Sequence, residues 1–442
     1  MNTNRFKNYD PGVRQLVLSF EDDGERCRTF FDVEELEIIA DYYLEVCDMD
    51  GLEAAVKLGE RLYPHNNDIR LRRAQMFGVQ GLYEQALGLL KQLERDEPSN
   101  TDVCYSLATL YSATGNAKES INYYLRAAAD GYELGMVYGN VADEYMKLGN
   151  TVQAVRYYLK SVDDNSDEHR SLRALAHIWF HQGRIGQAVQ YFSEHVADHP
   201  YCKTAWYCLG CSYMQGGRDN VAKAVDAFKY ALAIDGRFED ASYELAEAYV
   251  KQGDLPHAVQ ALREVLDYTD TRDLVLRAIG NLYMRAGNYH TAYTYYRDAL
   301  KENGDEGFAW NDLGHCCEKL GYVSEAEEHY RRAIHLCPDY DDLWLDLADM
   351  YITELRFSEA AALLDSIRMT VDNRFHFDIR LMYCYYRLGR RNKLFSLLAE
   401  DAALGAYRFS DLLIYYPDMS QDTDLVTVIR EYDRNCKFIN PF

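Results

Sequence analysis

Four side chains with metal-binding chemistry occur in two closely spaced pairs near the middle of the chain. His177 and His181 are four residues apart, and Cys208 and Cys211 are three apart. In a helix each pair lies on one face, because residues three and four apart are helical neighbours. Imidazole and thiolate are ligands of zinc. The spacing allows a metal or redox site, but small thiols and surface histidines commonly occur without metal, so no cofactor is predicted.

A second set of side chains has the chemistry to hold a carboxylate or an acidic peptide segment. Guanidinium, ammonium and amide groups donate charge-assisted hydrogen bonds to such anions. For each charge the alternative is a solvated surface that binds nothing, because exposed ion pairs contribute little. The set is Asn140, Lys147, Arg170, Arg173, His177, His181, Tyr207, Arg277 and Asn281.

No catalytic motif accompanies these residues. The sequence has no phosphate-binding loop, Gly-x-Ser-x-Gly elbow, His-Glu-x-x-His helix or dinucleotide fingerprint. The chain is therefore predicted not to be an enzyme.

Charge and composition narrow the classes of partner. The 47 basic and 71 acidic residues give a net charge of -24, which repels a phosphate backbone and argues against nucleic acid. No apolar run has the length of a signal peptide or a membrane span, so we expect a cytoplasmic protein without membrane insertion. The eleven cysteines fall mostly inside helical patterns, which favours reduced thiols.

Glycine recurs at a fixed interval through most of the chain. The interval is 34 residues, apart from one of 36, and Leu355 occupies one slot of the series. Glycine is favoured where a helix ends in a left-handed residue, so each glycine predicts the turn inside a pair of helices. The longer interval predicts an insertion in one turn, around Arg218 to Val221. The glycines are Gly81, Gly115, Gly149, Gly183, Gly217, Gly253, Gly287, Gly321 and Gly389.

Small and aromatic residues keep the same frame. Ala or Gly stands seven residues before each turn position from Gly81 to Leu355, where a larger side chain would hold two packed helices apart. Aromatic residues such as Tyr111 occupy the eleventh place of a unit and face others, such as Tyr124, from the second helix. The four tryptophans also fall on repeat positions, which predicts that they pack in the core.

This order of residues resembles the tetratricopeptide repeat (TPR) family. The resemblance implies an all-α fold, a right-handed superhelical solenoid of antiparallel helix pairs. It is weaker at both ends, where Leu52 and Leu394 replace the expected small residue. The eleven predicted units are 33–66, 67–100, 101–134, 135–168, 169–202, 203–238, 239–272, 273–306, 307–340, 341–374 and 375–408.

The two ends of the chain lie outside the repeat. In residues 1–32 an alternating pattern allows a short β-hairpin, and a flexible arm over the first helix is the alternative. Asp32 followed by Glu35 predicts a capping box at the start of the first repeat helix. Residues 409–442 are predicted to form a C-terminal helical cap. The alternating residues are Leu16, Leu18 and Phe20, then Cys27, Thr29 and Phe31.

The resemblance also implies where a ligand binds. In this family the first helices line a concave groove that binds extended peptides or partner helices. If positions four, seven, eight and eleven of each first helix face its partner, positions two, five, six, nine, twelve and thirteen fall on the groove side. The candidate residues named above occupy these positions. The run His315-Cys316-Cys317 is a weaker candidate, because Cys317 replaces a core aromatic residue.

One known ligand class is not supported. Co-chaperones of this family clamp a carboxylate with a fixed pattern of Asn and basic residues. Arg277 and Asn281 match its start, but Asp312 stands where Asn is expected, and Asp342 and Asp346 stand where basic residues are expected.

The sequence therefore predicts a non-enzymatic interaction scaffold or adaptor whose groove binds a protein or peptide, with an acidic segment as the preferred candidate. Two alternatives stay open. One is a metal-binding or redox protein that uses His177, His181, Cys208 and Cys211, and the other is a peptide-sensing regulator.

Overall fold

The computed structural model of the 442-residue chain describes residues 9–23, 30–129, 131, 133–371, 374–404 and 409–435. Over these residues the regular structure is helical and includes no strand, which confirms the predicted all-α class. Contacts divide the chain into two compact parts, residues 1–236 and 237–442, and each part is described by itself.

The N-terminal part consists of thirteen described α-helices and one 3₁₀ helix at Arg218–Asn220. The α-helices are α1 (Pro11–Asp23), α2 (Val33–Glu45), α3 (Met49–Leu62), α4 (Asn67–Val79), α5 (Tyr83–Asp96), α6 (Thr101–Ala113), α7 (Ala117–Ala129), α8 (Leu134–Lys147), α9 (Thr151–Asp164), α10 (His169–His181), α11 (Ile185–Asp198), α12 (Lys203–Gln215) and α13 (Val221–Ile234).

The C-terminal part continues the alternation and includes one further 3₁₀ helix at Pro417–Gln421. Its described α-helices are α14 (Glu239–Gln252), α15 (Leu255–Val265), α16 (Arg272–Arg285), α17 (Tyr289–Glu302), α18 (Gly307–Leu320), α19 (Val323–Leu336), α20 (Asp341–Thr353), α21 (Phe357–Ile367), α22 (Arg374–Arg387), α23 (Arg391–Leu404), α24 (Ser410–Tyr415) and α25 (Thr423–Asn435).

The helices from α2 to α23 pack as successive antiparallel pairs. Each pair matches one predicted unit, although α8, α16 and α22 begin one residue before theirs. Small residues at position eight allow the two helices of a pair to approach closely. A Cβ atom added at Gly280 would lie 2.6 Å from Cε1 of Tyr296, and one added at Gly314 would lie 2.8 Å from the Tyr330 ring. The aromatic ring of the second helix therefore fills the space that the small residue leaves.

The turns inside the pairs have the positive φ that the glycine series predicts, although Gly217, with a φ of 98° and a ψ of 176°, lies outside the left-handed helical region. All nine glycines of the series have a positive φ, and Leu355 adopts the same conformation with a φ of 59°. The long interval also has its predicted cause, because the 3₁₀ helix Arg218–Asn220 is inserted between α12 and α13. The extra residues thus lengthen one turn and leave both helices of that pair intact.

The N-terminal segment is helical where a hairpin strand was one of the two expectations. Residues Pro11–Asp23 form α1, and Val17 on this helix is fully buried against Leu36 and its neighbours in α2 and α3. The hairpin is wrong for this segment because Val13, Leu16, Val17 and Phe20 also repeat with helical spacing. Cys27 and Thr29 of the expected second strand lie outside the described residues.

A capping box begins the first repeat helix, and the terminal helices pack against the last helix pair. The Asp32 carboxylate accepts from the Glu35 backbone N–H (2.8 Å), and the Glu35 carboxylate accepts from the Asp32 backbone N–H (3.0 Å), which completes the capping box. At the other end, helices α24 and α25 bury apolar side chains in the same cluster as α22 and α23. These side chains are Phe409, Leu412, Met419, Leu425 and Ile429.

Three of the four tryptophans differ from the prediction. Trp179 is buried, but the other three are half-buried, and each donates its Nε1–H to a backbone carbonyl six residues earlier. The indole has an apolar body and a polar edge, so it packs where the edge reaches an acceptor. The acceptors are Pro200 for Trp206 (2.9 Å), Gly304 for Trp310 (2.9 Å) and Pro338 for Trp344 (3.0 Å).

The helices give no indication of a membrane segment. Among the described residues, every helix is too short or too polar to cross a bilayer.

Candidate functional site

A cavity of about 380 Å³ opens on the face formed by the first helices α2, α4 and α6 of the N-terminal part. We call this cavity the α2/α4/α6 pocket. The lining residues on these three helices are Asp41, Leu44, Arg72, Ala74, Gln75, Gly78, Val79, Ser106, Thr109, Leu110 and Ala113, and Tyr83, Ala86 and Leu90 of α5 complete it.

One wall of the pocket is polar and connects the three first helices. Arg72 of α4 lies 3.0 Å from an Asp41 carboxylate oxygen of α2 and donates a 2.9 Å hydrogen bond to Gln75. Gln75 in turn donates to Ser106 of α6 at 3.1 Å. Partial burial raises the pKa of Asp41 above its usual range, and Arg72 opposes that shift. The polar wall is therefore a continuous series of side chains bonded to one another, and one edge of it is exposed to solvent.

Another part of the lining is apolar and partly accessible. Val79 is 59% exposed, and Leu44, Leu110 and Ala113 lie beside it in the lining. Gly78 has open space around its Cα, because a Cβ added there would meet nothing within 4 Å. An apolar side chain of a ligand would thus find contact surface here and remove Val79 from water.

The predicted set in α8 and α10 does share one face, but two of its cations already have anionic partners. Lys147 contacts Glu144 (2.6 Å) and donates to Ser112 (2.8 Å). Arg170 donates to Asn140 (2.9 Å) and lies 3.1 Å from Asp143. Asn140 donates in turn to Tyr105 at 3.1 Å. These contacts join α6, α8 and α10 and compensate much of the positive charge that the sequence suggested.

The exposed side chains of α10 form a stripe that keeps more of its positive character. Arg170, Arg173, His177 and His181 are all exposed along one face of the helix. The Arg173 guanidinium lies 4.9 Å from the ring centre of Tyr207 on α12. We call these four side chains the α10 stripe.

Arg277 and Asn281 lie in the C-terminal part and also have protein partners. Arg277 is 3.0 Å from both Glu306 and Asp312, and Asn281 accepts a 2.6 Å hydrogen bond from the Tyr296 hydroxyl. The Asp312 Oδ2 atom is buried, and although Arg277 is close, their geometry is not that of a hydrogen bond. Burial therefore dominates and raises the pKa of Asp312 to about 6.

The structure does not assemble the metal site proposed on His177, His181, Cys208 and Cys211. The two histidines do meet, with 3.0 Å between their Nε2 atoms. Cys208 is 1% exposed, however, and packs in the hydrophobic core, where burial raises the pKa of its thiol well above the ordinary value. Among the described residues, three metal-ligand atoms converge at Cys317, Glu325 and His329, and not at these four side chains.

Several residues of the pocket occupy positions that the sequence assigned to the groove side, but the pocket itself was not predicted. Asp41, Leu44, Arg72, Gln75, Gly78 and Val79 occupy positions six, nine, twelve or thirteen of their units, as a ligand-facing residue should. The missed signal is size at positions twelve and thirteen. Gly78 and Ala113 stand there, whereas other units carry long side chains such as Met146, Phe180 and Arg285.

Comparison with curated proteins finds partial similarity to larger repeat proteins. The chain is 26% identical over 105 residues to the tetratricopeptide repeat-containing protein trd-1 of Caenorhabditis elegans, covering 24% of this chain and 14% of that protein. It is 25% identical over 167 residues to tetratricopeptide repeat protein 37 of Xenopus laevis, covering 35% and 10%. The match thus spans only a small part of either relative.

A solved structure of the APC/C hetero-tetramer Cut9-Hcn1 aligns with 95% of this chain and 93% of its own, at 14% identity and a TM-score of 0.38.

Models of tetratricopeptide repeats match four segments of the chain. One matches residues 71–133, 142–201 and 277–341, and a second matches residues 217–282. These segments cover most of the stretch in which the 34-residue spacing is regular. Combined with the helix pairs and their left-handed turns, the matches show that the chain belongs to the tetratricopeptide repeat family.

Proposed function

We propose that this protein is a non-enzymatic interaction scaffold whose first-helix face binds an extended segment of a partner protein. In this proposal the α2/α4/α6 pocket receives one large apolar side chain of that segment. The observation that carries the proposal is the pocket itself, whose lining has both partly accessible apolar surface and hydrogen-bonding groups.

The chemistry of the pocket supports a peptide as the ligand. Binding sites are typically apolar cavities with a few polar groups that fix orientation. Here Leu44, Val79 and Leu110 offer the apolar contacts. Gln75 and Arg72 line the pocket, and among the described residues the buried Arg72 Nε atom has no hydrogen-bond partner. A stack of first helices also presents neighbouring side chains to one elongated ligand.

A second candidate is the acidic segment, bound at the α10 stripe. It is favoured by four exposed cationic or titratable side chains on one helix face and by the Arg173–Tyr207 contact. The ion pairs of Arg170 and Lys147 reduce its strength, because an acidic ligand must compete with Asp143 and Glu144. We therefore place the apolar anchor first.

The other expectations from the sequence remain predictions. The absence of enzymatic activity, the exclusion of nucleic acid by the net charge of -24 and the cytoplasmic location belong to the proposal. A peptide-sensing regulator would use the same face and differs only in what the bound state controls.

Peptides selected from a random displayed library against the full chain test the proposal. We expect the selected sequences to share a large apolar residue. Gly78→Leu places a side chain in the pocket and should weaken their binding at least about tenfold, a loss of roughly 1.4 kcal/mol. Gly88→Leu is the matched control, because Gly88 is a helical glycine outside the pocket that also has open space around it.

Two double charge reversals separate the candidates. Arg170→Glu with Arg173→Glu should leave peptides with an apolar anchor bound, and Lys118→Glu with Arg156→Glu, exposed on α7 and α9, is the control. Loss of binding in the first double variant, with unchanged binding in Gly78→Leu, would favour the acidic segment and contradict the pocket.

A further inference from the structure

A Cys, a Glu and a His converge in the ninth helix pair, in the C-terminal part of the chain. Cys317 lies on α18, and Glu325 and His329 lie on α19. One ligand atom from each of the three side chains lies within 4.8 Å of the others. We propose that these three residues bind one zinc-class divalent cation and so connect α18 to α19.

The spacing of the residues suits such a site. Glu325 and His329 are four residues apart, so their side chains share one face of α19. Cys317 faces them from α18, where it is fully buried, whereas Glu325 is exposed and His329 is intermediate. The cluster therefore lies at the edge of the core, with access to solvent from the Glu325 side.

The position of the cluster in the repeat is unusual. Position eleven carries an aromatic residue in ten of the eleven units, and Cys317 is the exception. In three other units this residue stacks on a tyrosine at position twenty-three, where the ninth unit has His329. The stacked pairs are Tyr111–Tyr123 (5.6 Å between ring centres), Tyr145–Tyr157 (5.5 Å) and Tyr283–Tyr295 (5.6 Å). Two metal-binding side chains thus replace the aromatic contact between the two helices.

An unsatisfied atom and an adjacent cavity provide independent support. The Nδ1 atom of His329 is buried and has no hydrogen-bond partner among the described residues. A cavity of about 230 Å³ is lined by His329, Tyr293 and Trp310, together with the cations Arg297 and Lys301. Buried polar atoms normally have a partner, and an ion is one such partner.

The donor set selects the class of metal. A thiolate, an imidazole and a carboxylate are the ligands of zinc, with bonds of about 2.0–2.3 Å. Tetrahedral bonds of this length place ligand atoms roughly 3.4–3.8 Å apart. The three atoms therefore need only small side-chain rotations to close around the ion. Binding releases the Cys317 proton to solvent, because the thiolate is the ligand.

Metal titration of the full chain tests the site. After dialysis against a chelator, the protein should bind one zinc per chain in competition with a chromophoric chelator. Co²⁺ bound in its place should show a thiolate-to-metal charge-transfer band. Glu325→Gln should lower zinc affinity by about a hundredfold. Loss of a residue that only hydrogen-bonds to a metal ligand already lowers affinity by up to about that factor. Because Glu325 is exposed, this variant is expected to fold.

Two cysteine variants identify which cysteine provides the sulfur ligand of the metal. Cys317→Ser should abolish the charge-transfer band of Co²⁺. Cys316→Ser is the matched control, because Cys316 is the adjacent buried cysteine and its thiol donates instead to the Tyr289 carbonyl at 3.1 Å. Zinc affinity that is absent from the parent protein, or that persists unchanged in both Glu325→Gln and Cys317→Ser, would overturn the proposal.

Discussion

Leu355 has a left-handed backbone in the turn between α20 and α21, with a φ of 59°. A side chain in this conformation costs roughly 1 kcal/mol, which glycine avoids. Leu355→Gly should therefore raise the free energy of unfolding by up to about 1 kcal/mol, less the greater freedom of glycine in the unfolded chain. Urea unfolding measures the change. Leu355→Ala removes the same exposed side chain and keeps the strain, so equal stability of the two variants would contradict the explanation.

Asp312 is the clearest titrating group on the first-helix face of the C-terminal part. Its folded pKa is raised to about 6, so the folded state holds the proton more tightly than the unfolded chain. The stability from this group is present below the unfolded pKa and is lost as pH rises through about 6. Asp312→Asn, which stays uncharged, should thus gain about 1–3 kcal/mol relative to the parent between pH 4 and pH 7.

Thermal unfolding at several pH values measures that gain. Asp298→Asn on α17 is the control, because the Asp298 side chain is half exposed and pairs only with Lys301 three residues later. A parent-to-variant difference that is constant over this pH range would show that burial of Asp312 does not control the titration.

At the residue scale, some roles were predictable from sequence and others were not. A left-handed turn follows from local sterics, so the glycine series also predicted a turn at position 355, where the chain has Leu. The partners of Arg170 and Arg277 depend on how neighbouring first helices are rotated against one another. Charge alone indicates a cation on a face, and only coordinates show that Asp143 or Glu306 already compensates it.

Close packing within a helix pair makes a prediction about two glycines. Gly280→Ala puts a methyl group 2.6 Å from a Tyr296 ring atom, and such overpacking costs about 1–3 kcal/mol. Gly78→Ala meets nothing within 4 Å and should stabilise α4 by up to about 1 kcal/mol, because alanine favours helix over glycine. Urea unfolding of both variants checks the opposite signs, and two losses of similar size would be inconsistent with this packing.

The terminal helix α25 is predicted to protect the last helix pair. Ile429 is fully buried in the cluster that includes Leu394 and Leu398, so Ile429→Asp places a carboxylate among apolar side chains. Amide hydrogen exchange in α22 and α23 should become faster. Arg430→Asp introduces the same group at the next, exposed position and should leave exchange unchanged. Equal exchange rates in the two variants would mean that α25 does not cover this pair.

At the element scale, the repeat pattern predicted the paired helices better than it predicted the two ends of the chain. A period of 34 residues was supported by many copies, so the alternation of paired helices from α4 to α21 was predictable. Residues 11–23 occur once, and their apolar residues fit alternation and helical spacing equally well. Burial of Val17 against α2 decides for the helix, and that contact is not local in sequence.

For the whole molecule, the architecture was predictable and the ligand was not. A stacked array buries its core only between neighbours, so sequence period and small residues are enough to predict the pairing. The pocket depends on two short side chains, Gly78 and Ala113, that no repeat rule requires. The zinc cluster likewise depends on a local departure from the repeat.

If each helix pair is coupled only to its neighbouring pairs, a change at one end of the array should not affect binding at the other end. Ile429→Asp perturbs the last helices, so peptide affinity at the α2/α4/α6 pocket should stay within about twofold of the parent value. Titration of a selected peptide measures this affinity. A tenfold loss would indicate coupling that extends through the array.

Methyl NMR of the full chain, labelled at Leu and Val, tests the central claim of a peptide site most directly. Addition of a selected peptide should shift the methyl signals of Leu44, Val79 and Leu110, which line the pocket. The Val152 signals should stay in place, because this 80% exposed residue lies on a second helix. If the peptide binds but the methyl signals of Leu44, Val79 and Leu110 do not shift, the proposed peptide site is contradicted.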